Sequence, residues 1–245
     1  MNGLRLVLVT HRYWPLVGGA ETAIAHLAQG LRQLGAAPTI LTARHDARWP
    51  TDVARREIPV HRLNCPRFGW SGLRYLIALA RWLKKNRPDI DAVCVSHLGH
   101  EAYAVIGALA GSGVPVVVRA EANESFALTD PAQTGRSLSR TLRRCRQAQA
   151  IVVSTDHAQQ VVTELGMERH RILRIRNGVE VLPGRQPALV AAARQALATV
   201  NEDLRVPADQ PVALCIGQLH QDNGLDTVIR AWKQVALEWP FARLW

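Results

Sequence analysis

The chain is short of aromatic rings, of sulfur and of negative charge. Three phenylalanines and three tyrosines accompany seven tryptophans. A nucleic-acid surface built on base stacking has little to draw on, and no helix-turn-helix, zinc-finger or RNP-type pattern occurs. Four cysteines, Cys65, Cys94, Cys145 and Cys215, lie apart with no C-x-x-C pair. That spacing excludes a disulfide framework, gives no metal-ligand signature, and reads as reduced thiols, mostly in the core. No apolar run approaches the roughly 18 residues of a membrane span. The N-terminus enters a strand-like run directly, without the basic and apolar regions of a signal peptide, so the cytoplasm is the expected compartment. Acids number 20 against 30 Lys and Arg. A net charge of +10 favours anionic partners: phosphate groups, nucleic acid or an acidic membrane surface.

What is present is enough apolar material, 48% of 245 residues, to build a real core. Short apolar runs alternate with amphipathic stripes. Leu4–Thr10, Thr39–Thr42, Val60–Leu63, Asp91–Ser96, Pro115–Arg119, Ile151–Ser154 and Arg171–Ile175 read as strands. Helices fall between them. The first is carried by Ala20, Ala23, Ile24, Leu27, Leu31 and Leu34, with Gly35 as its stop; later ones are marked by Leu73 to Leu83, Ala102 to Leu109, Leu138 to Gln149 and Ala158 to Leu165. Continuous apolar strands alternating with helices predict an α/β fold, a doubly wound parallel sheet covered on both faces. After Asn177-Gly178-Val179 the texture changes. The expected divisions are a first domain over 1–183, a connector with an Ala-rich helix over 184–210, and the start of a second strand-helix unit over 211–245. That last unit reads as cut short.

The chemistry begins at His11–Glu21, HRYWPLVGGAE. Glycines between a strand and a helix let a phosphate reach free N–H groups at the helix start, where the dipole favours anions. A tight turn with no ligand is the alternative. The G-x-G-x-x-G fingerprint is absent and no acid closes the second strand, which disfavours a nicotinamide dehydrogenase. The pattern T-x4-P-x2-GG-x-E over Thr10–Glu21 resembles the N-terminal domain of family 4 glycosyltransferases, which have the GT-B fold. Three more stretches agree in order: Val152–Thr155 (VVST), Arg171–Glu180 (RILRIRNGVE) and Ile216–Trp232 (IGQLHQDNGLDTVIRAW). The resemblance spans essentially the whole chain.

It implies transfer of a sugar from a nucleotide-sugar donor to a glycan or lipid-linked acceptor, with retention and with no separate cofactor. Gly18 and Gly19 would meet the donor diphosphate, and Asn177 and Gly178 would shape the hinge loop. Gln218 and Asn223 stand where the family usually has diphosphate-contacting Arg and Lys, and neither carries charge. Glu121 takes the place of a frequent His near the reacting carbon; with Glu124 it is a candidate for orienting an acceptor hydroxyl, or else an exposed loop acid. The family's Glu-rich donor motif would lie beyond Trp245. The alternative is therefore a non-catalytic remnant that keeps an acceptor or membrane surface. His97, His100 and His11 follow strands, where ligands bind in open α/β sheets, and are candidate acceptor contacts; surface histidines are the other reading.

Two basic helices stand apart. Arg136, Arg140, Arg143 and Arg144 share one face, which reads as solvated. In Ser71–Arg87, Leu73, Leu76, Ile77 and Ala80 suffice for a core face. Tyr75, Leu79 and Trp82 form a second side among Arg74, Arg81, Lys84 and Lys85. That side suits peripheral contact with an anionic membrane at its inner face, or burial against a neighbour.

Overall fold

The alternating pattern folds as a mostly parallel eight-stranded sheet. The computed structural model describes residues 3–65, 71–120, 136–179, 181, 184, 186–207, 209–217 and 223–245, apart from the side chains of 71 and 136–138. In chain order the elements are β1 (Arg5–Thr10), α1 (Gly19–Gln33), β2 (Ala37–Arg44), β3 (Asp52–Arg55), β4 (Ile58–Asn64), α2 (Ser71–Asn86) and β5 (Ala92–Val95). There follow α3 (His100–Leu109), β6 (Val116–Ala120), α4 (Arg136–Cys145), β7 (Ala150–Val153), α5 (Asp156–Glu164) and β8 (Ile172–Arg174). The strands lie in the order β3-β4-β2-β1-β5-β6-β7-β8. Central β1 pairs parallel with β2 (Leu8 opposite Ile40) and with β5 (Leu8 opposite Cys94). Val7, Leu8 and Val9 are all buried, as a strand covered on both faces requires. One core lies under α2 to α5, with Leu79, Val105, Leu142 and Val162; a second lies under α1, with Leu8, Ile24 and Ile40.

Local signals set the helix ends. Gly35 at φ +86° follows the last turn of α1, a conformation that favours glycine. Thr155 caps α5 by accepting from the Ala158 N–H at 3.1 Å.

Two expectations change. Strand β3 carries no clear sequence signal; it pairs antiparallel with β4 through a turn at Arg56 and Glu57, both at positive φ (49° and 65°). Tight hairpins need that backbone, and the usual signal for it is Asn or Gly. The core face of α2 is also corrected. Tyr75 (1% exposed), Leu79 and Leu83 (both 0%) are buried, whereas Leu73 (49%) and Ile77 (41%) face outward. Both apolar stripes could seal the sheet. The buried one carries the large Tyr75 ring and a hydroxyl that finds a partner inside, so more apolar area is covered with no polar group orphaned. Tyr75 therefore cannot serve a membrane face, and half-buried Trp82 lies against the His61 ring at 5.6 Å.

The chain divides into two units, Met1–Val179 and Glu180–Trp245. The second holds α6 (Pro187–Val200), β9 (Val212–Ala213), α7 (Leu225–Glu238) and β10 (Arg243–Leu244). β9 and β10 pair in parallel, giving a small strand-helix-strand unit whose strands are shorter than the apolar runs Val212–Ile216 and Phe241–Trp245 predict. Ile216, Ile229 and Phe241 are largely exposed in it.

Candidate functional site

The strand order fixes where a ligand can sit. From β1 the chain passes by α1 to β2 on one side, while β5 joins on the other, so a crevice opens beyond the carboxyl ends of β1 and β5. His11 directly follows β1, and residues 97–101 follow β5.

His11 is held by its backbone. Its carbonyl accepts from the Thr42 hydroxyl (3.2 Å), the Ala43 N–H (3.3 Å) and His45 Nε2 (2.9 Å). Its ring meets those of His45 (4.9 Å) and Tyr75 (5.2 Å) edge-on. Behind it lies Glu101, in the first turn of α3 and 8% exposed. The Tyr75 hydroxyl donates to Glu101 Oε1 at 2.6 Å, and His11 Nδ1 stands 3.6 Å from the same oxygen. Burial, with the charge of Glu101 beside it, pushes the Tyr75 hydroxyl well above its ordinary value. Burial lowers His45 and so favours its neutral form. The Cys65 thiol is raised by burial and by Glu101. This cluster sets one half-exposed imidazole tip against a buried carboxylate, a pairing that can accept and orient a hydroxyl.

The other histidines differ. His97 is partly buried, its Nδ1 2.6 Å from the Ser96 hydroxyl, and His100 is exposed as the first residue of α3. The sequence motif SHLGHE ends on Glu101 and assigns it no role. Its one signal is that it is the sole acid in an otherwise apolar helix.

At the glycine loop, Gly18 caps α1 in an extended conformation. A Cβ on Gly18 would run into the Glu21 carboxylate, which folds back over the helix start and pairs with Arg12 at 3.1 Å. Around Gly19 no described heavy atom lies within 4 Å of a Cβ. The open position is thus Gly19, while Gly18 already has an anion beside it. Arg62 anchors the preceding segment. Only 2% exposed, it donates to the carbonyls of Pro50 and Trp14 (both 2.9 Å) and lies near the Trp14 and Trp49 rings at 5.6 and 5.7 Å. Its Nε has no hydrogen-bond partner among the described residues. Burial and the neighbouring Arg44 lower its affinity for the proton.

Asn177 accepts from Arg119 Nη2 at 2.6 Å, so the segment after β8 is tied to β6; Asn177 and Gly178 are exposed. Asn223 is exposed at the start of the segment leading into α7. Glu121, Glu124 and Gln218 lie outside the described residues. Burial raises the thiols of Cys94 to about 11 and Cys145 to about 12. Among the described residues no three His, Cys, Asp or Glu side chains converge as metal ligands. No described helix is long and apolar enough to cross a membrane.

Residues 18–178 match the model of a family described as a glycosyl transferase 4-like domain. The fold is similar to that of sucrose-phosphate synthase from Thermosynechococcus elongatus, with a TM-score of 0.70 at 14% identity over 98% of this chain and 61% of that one. It is similar to Anabaena HepE in complex with UDP and glucose, with a TM-score of 0.69 at 17% identity over 98% and 60%. It also resembles the catalytic domain of starch synthase IV from Arabidopsis thaliana bound to ADP and acarbose, with a TM-score of 0.70 at 12% identity over 99% and 68%. This chain spans about three fifths of the length of the first two. No curated protein matches the sequence.

Proposed function

This chain belongs to the glycosyl transferase 4-like family, and on that premise we propose that it transfers a sugar, with retention of configuration, from a nucleotide-sugar to a glycan or lipid-linked acceptor. The single observation that carries the reading is the crest beyond β1 and β5, where His11 and buried Glu101 stand on the same side of the sheet as the glycine loop. In this reading the acceptor hydroxyl donates to Glu101 or meets the His11 tip. Tyr75 and His11 hold that carboxyl group in place, the Tyr75 hydroxyl at 2.6 Å and His11 Nδ1 at 3.6 Å from the same oxygen. The leaving diphosphate approaches the backbone at Gly19, where charge stabilisation matters more than a strong base. Gly18 contributes the turn rather than the anion site, since Glu21 crowds it. Glu121 and Glu124 would complete the acceptor side, and Asn177 and Gly178 the hinge side. A lipid-linked acceptor would bring the protein to an anionic membrane; the outward part of α2, Leu73 and Ile77 with Arg74, Arg81 and Lys84, is the face that fits it.

The test is a transfer assay with UDP- and ADP-linked glucose first, since solved neighbours hold UDP with glucose and ADP. Product configuration is read by NMR, on the chain completed with a donor-side domain and on the same protein carrying Gly19→Val. Expected is a retained anomer, lost in Gly19→Val with the fold intact. An inverted anomer, or full turnover in the variant, would overturn the respective part. One observation favours a second reading, acceptor binding without transfer: Asn223 supplies no cation for a diphosphate. Sugar-induced shifts of the His11 resonance with no turnover on any donor would select it.

A further inference from the structure

Outside the crest, the most distinctive surface lies between α3 and α4. Arg140, Arg143 and Arg144, with Tyr103 and Gln147, line an open hollow of about 300 Å³. Helix α4 contains no acid, and the one acid of α3, Glu101, is buried on the opposite side against Tyr75. None of the three arginines makes an ion pair among the described residues. Like charges three and four positions apart on a helix repel. A solvated basic face would splay such side chains, but here one is fixed. The Arg144 guanidinium lies over the Tyr103 ring at 4.1 Å and in the space that a Cβ on Gly107 would occupy. Glycine is the poorest helix former short of proline, yet it stands inside α3 where this side chain crosses.

We infer that this hollow is a binding site for a phosphate group, separate from the proposed transfer cleft. Guanidinium forks match phosphate oxygens in pairs, and Gln147 adds an amide donor. An oxyanion would relieve the repulsion within α4. The phosphate could come from a free phosphate ester or from a lipid headgroup, and the chemistry at the arginines is shared.

The experiment titrates the whole chain with inorganic phosphate by calorimetry, at ionic strength held constant with chloride. Saturable one-to-one binding is expected, weakened about tenfold or more in Arg140→Gln/Arg143→Gln, because charge-assisted bonds are lost. Gly107→Ala keeps every charge and displaces Arg144, so it weakens binding by a smaller factor. Binding that persists in Arg140→Gln/Arg143→Gln belongs elsewhere, the glycine loop included, and only the part lost in that variant is assigned to this hollow. In a second arm the chain is pelleted with phosphatidylglycerol or phosphatidylcholine vesicles. Binding to phosphatidylglycerol alone, with the same dependence on Arg140 and Arg143, identifies a headgroup as the source; binding in solution without vesicle binding identifies a free ester. The inference is overturned if neither arm shows binding, or if the double variant, with circular dichroism unchanged, binds like the parent. DNA oligonucleotides that bind while phosphate does not would also overturn it, marking a diffuse basic patch.

Discussion

Tyr75 and Glu101 bind each other from positions 26 residues apart, and neither advertises the other. A tyrosine next to Arg74 on a helix with Arg81, Lys84 and Lys85 reads as a surface residue, and an acid in a first helical turn reads as ordinary dipole complement. What makes them a site is burial, which the order of the strands imposes. His11 is easier to find, because a polar residue directly after a buried strand marks the ligand end of a parallel sheet. Tyr75→Phe should cost about 1–3 kcal/mol in urea unfolding, since it removes a bond to a buried carboxylate; a neutral result would place Glu101 in water. His45 gives a pH signature. Its folded value lies below the ordinary 6.5, so the unfolded chain takes up the proton first as pH falls. Stability from neutral His45 is complete above that ordinary value and is withdrawn as pH drops through the folded one. His45→Gln should therefore flatten the dependence of the melting temperature on pH below about 6.5, and an unchanged slope would assign the acid loss elsewhere.

At the scale of elements, strands and helices are legible because their periods differ, and the structure departs from that reading at α2, where two apolar stripes compete, and at β3. Helix α2 has two apolar stripes, and periodicity cannot rank them; the ranking came from a hydroxyl needing a partner inside. The faces separate by mutation. Leu79→Ala should destabilise the fold by about 2–5 kcal/mol as a core truncation, while Ile77→Ala stays within about 0.5 kcal/mol. Comparable losses at both positions would mean that a partner covers the outer stripe. Strand β3 escaped for the opposite reason: its turn residues, Arg56 and Glu57, adopt a backbone that their side chains do not announce.

For the whole molecule, the alternation of strand and helix was enough to foresee the sheet, because it depends on apolar runs spread over the entire chain. The two units differ in how well they cover their apolar groups. Many buried side chains interlock in the first, whereas Ile216, Ile229, Leu237, Trp239 and Phe241 remain exposed in the second. Limited trypsin digestion should leave a resistant product ending near residue 180 and remove the α7 region early, by cleavage at Arg230 or Lys233. Survival of an intact 27.0 kDa chain would show the second unit to be equally protected.

The place of β1 in the middle of the sheet also orders events during synthesis. One edge of β1 is satisfied soon, when β2 emerges. The other waits for β5: Arg5 meets Asp91 across 86 residues, through the N–H bond at 2.7 Å and the ion pair beside it. At ribosomal speeds of roughly 5–20 residues per second, that interval is about 4–17 s. For that time the nascent half-sheet carries an unpaired strand edge at its centre, and α2 arrives with Tyr75 still lacking its carboxylate. Strand β5 closes the first gap and Glu101, just after it, the second, so a ribosome pause before Ala92 emerges would lengthen the exposure and one after Glu101 has emerged would not.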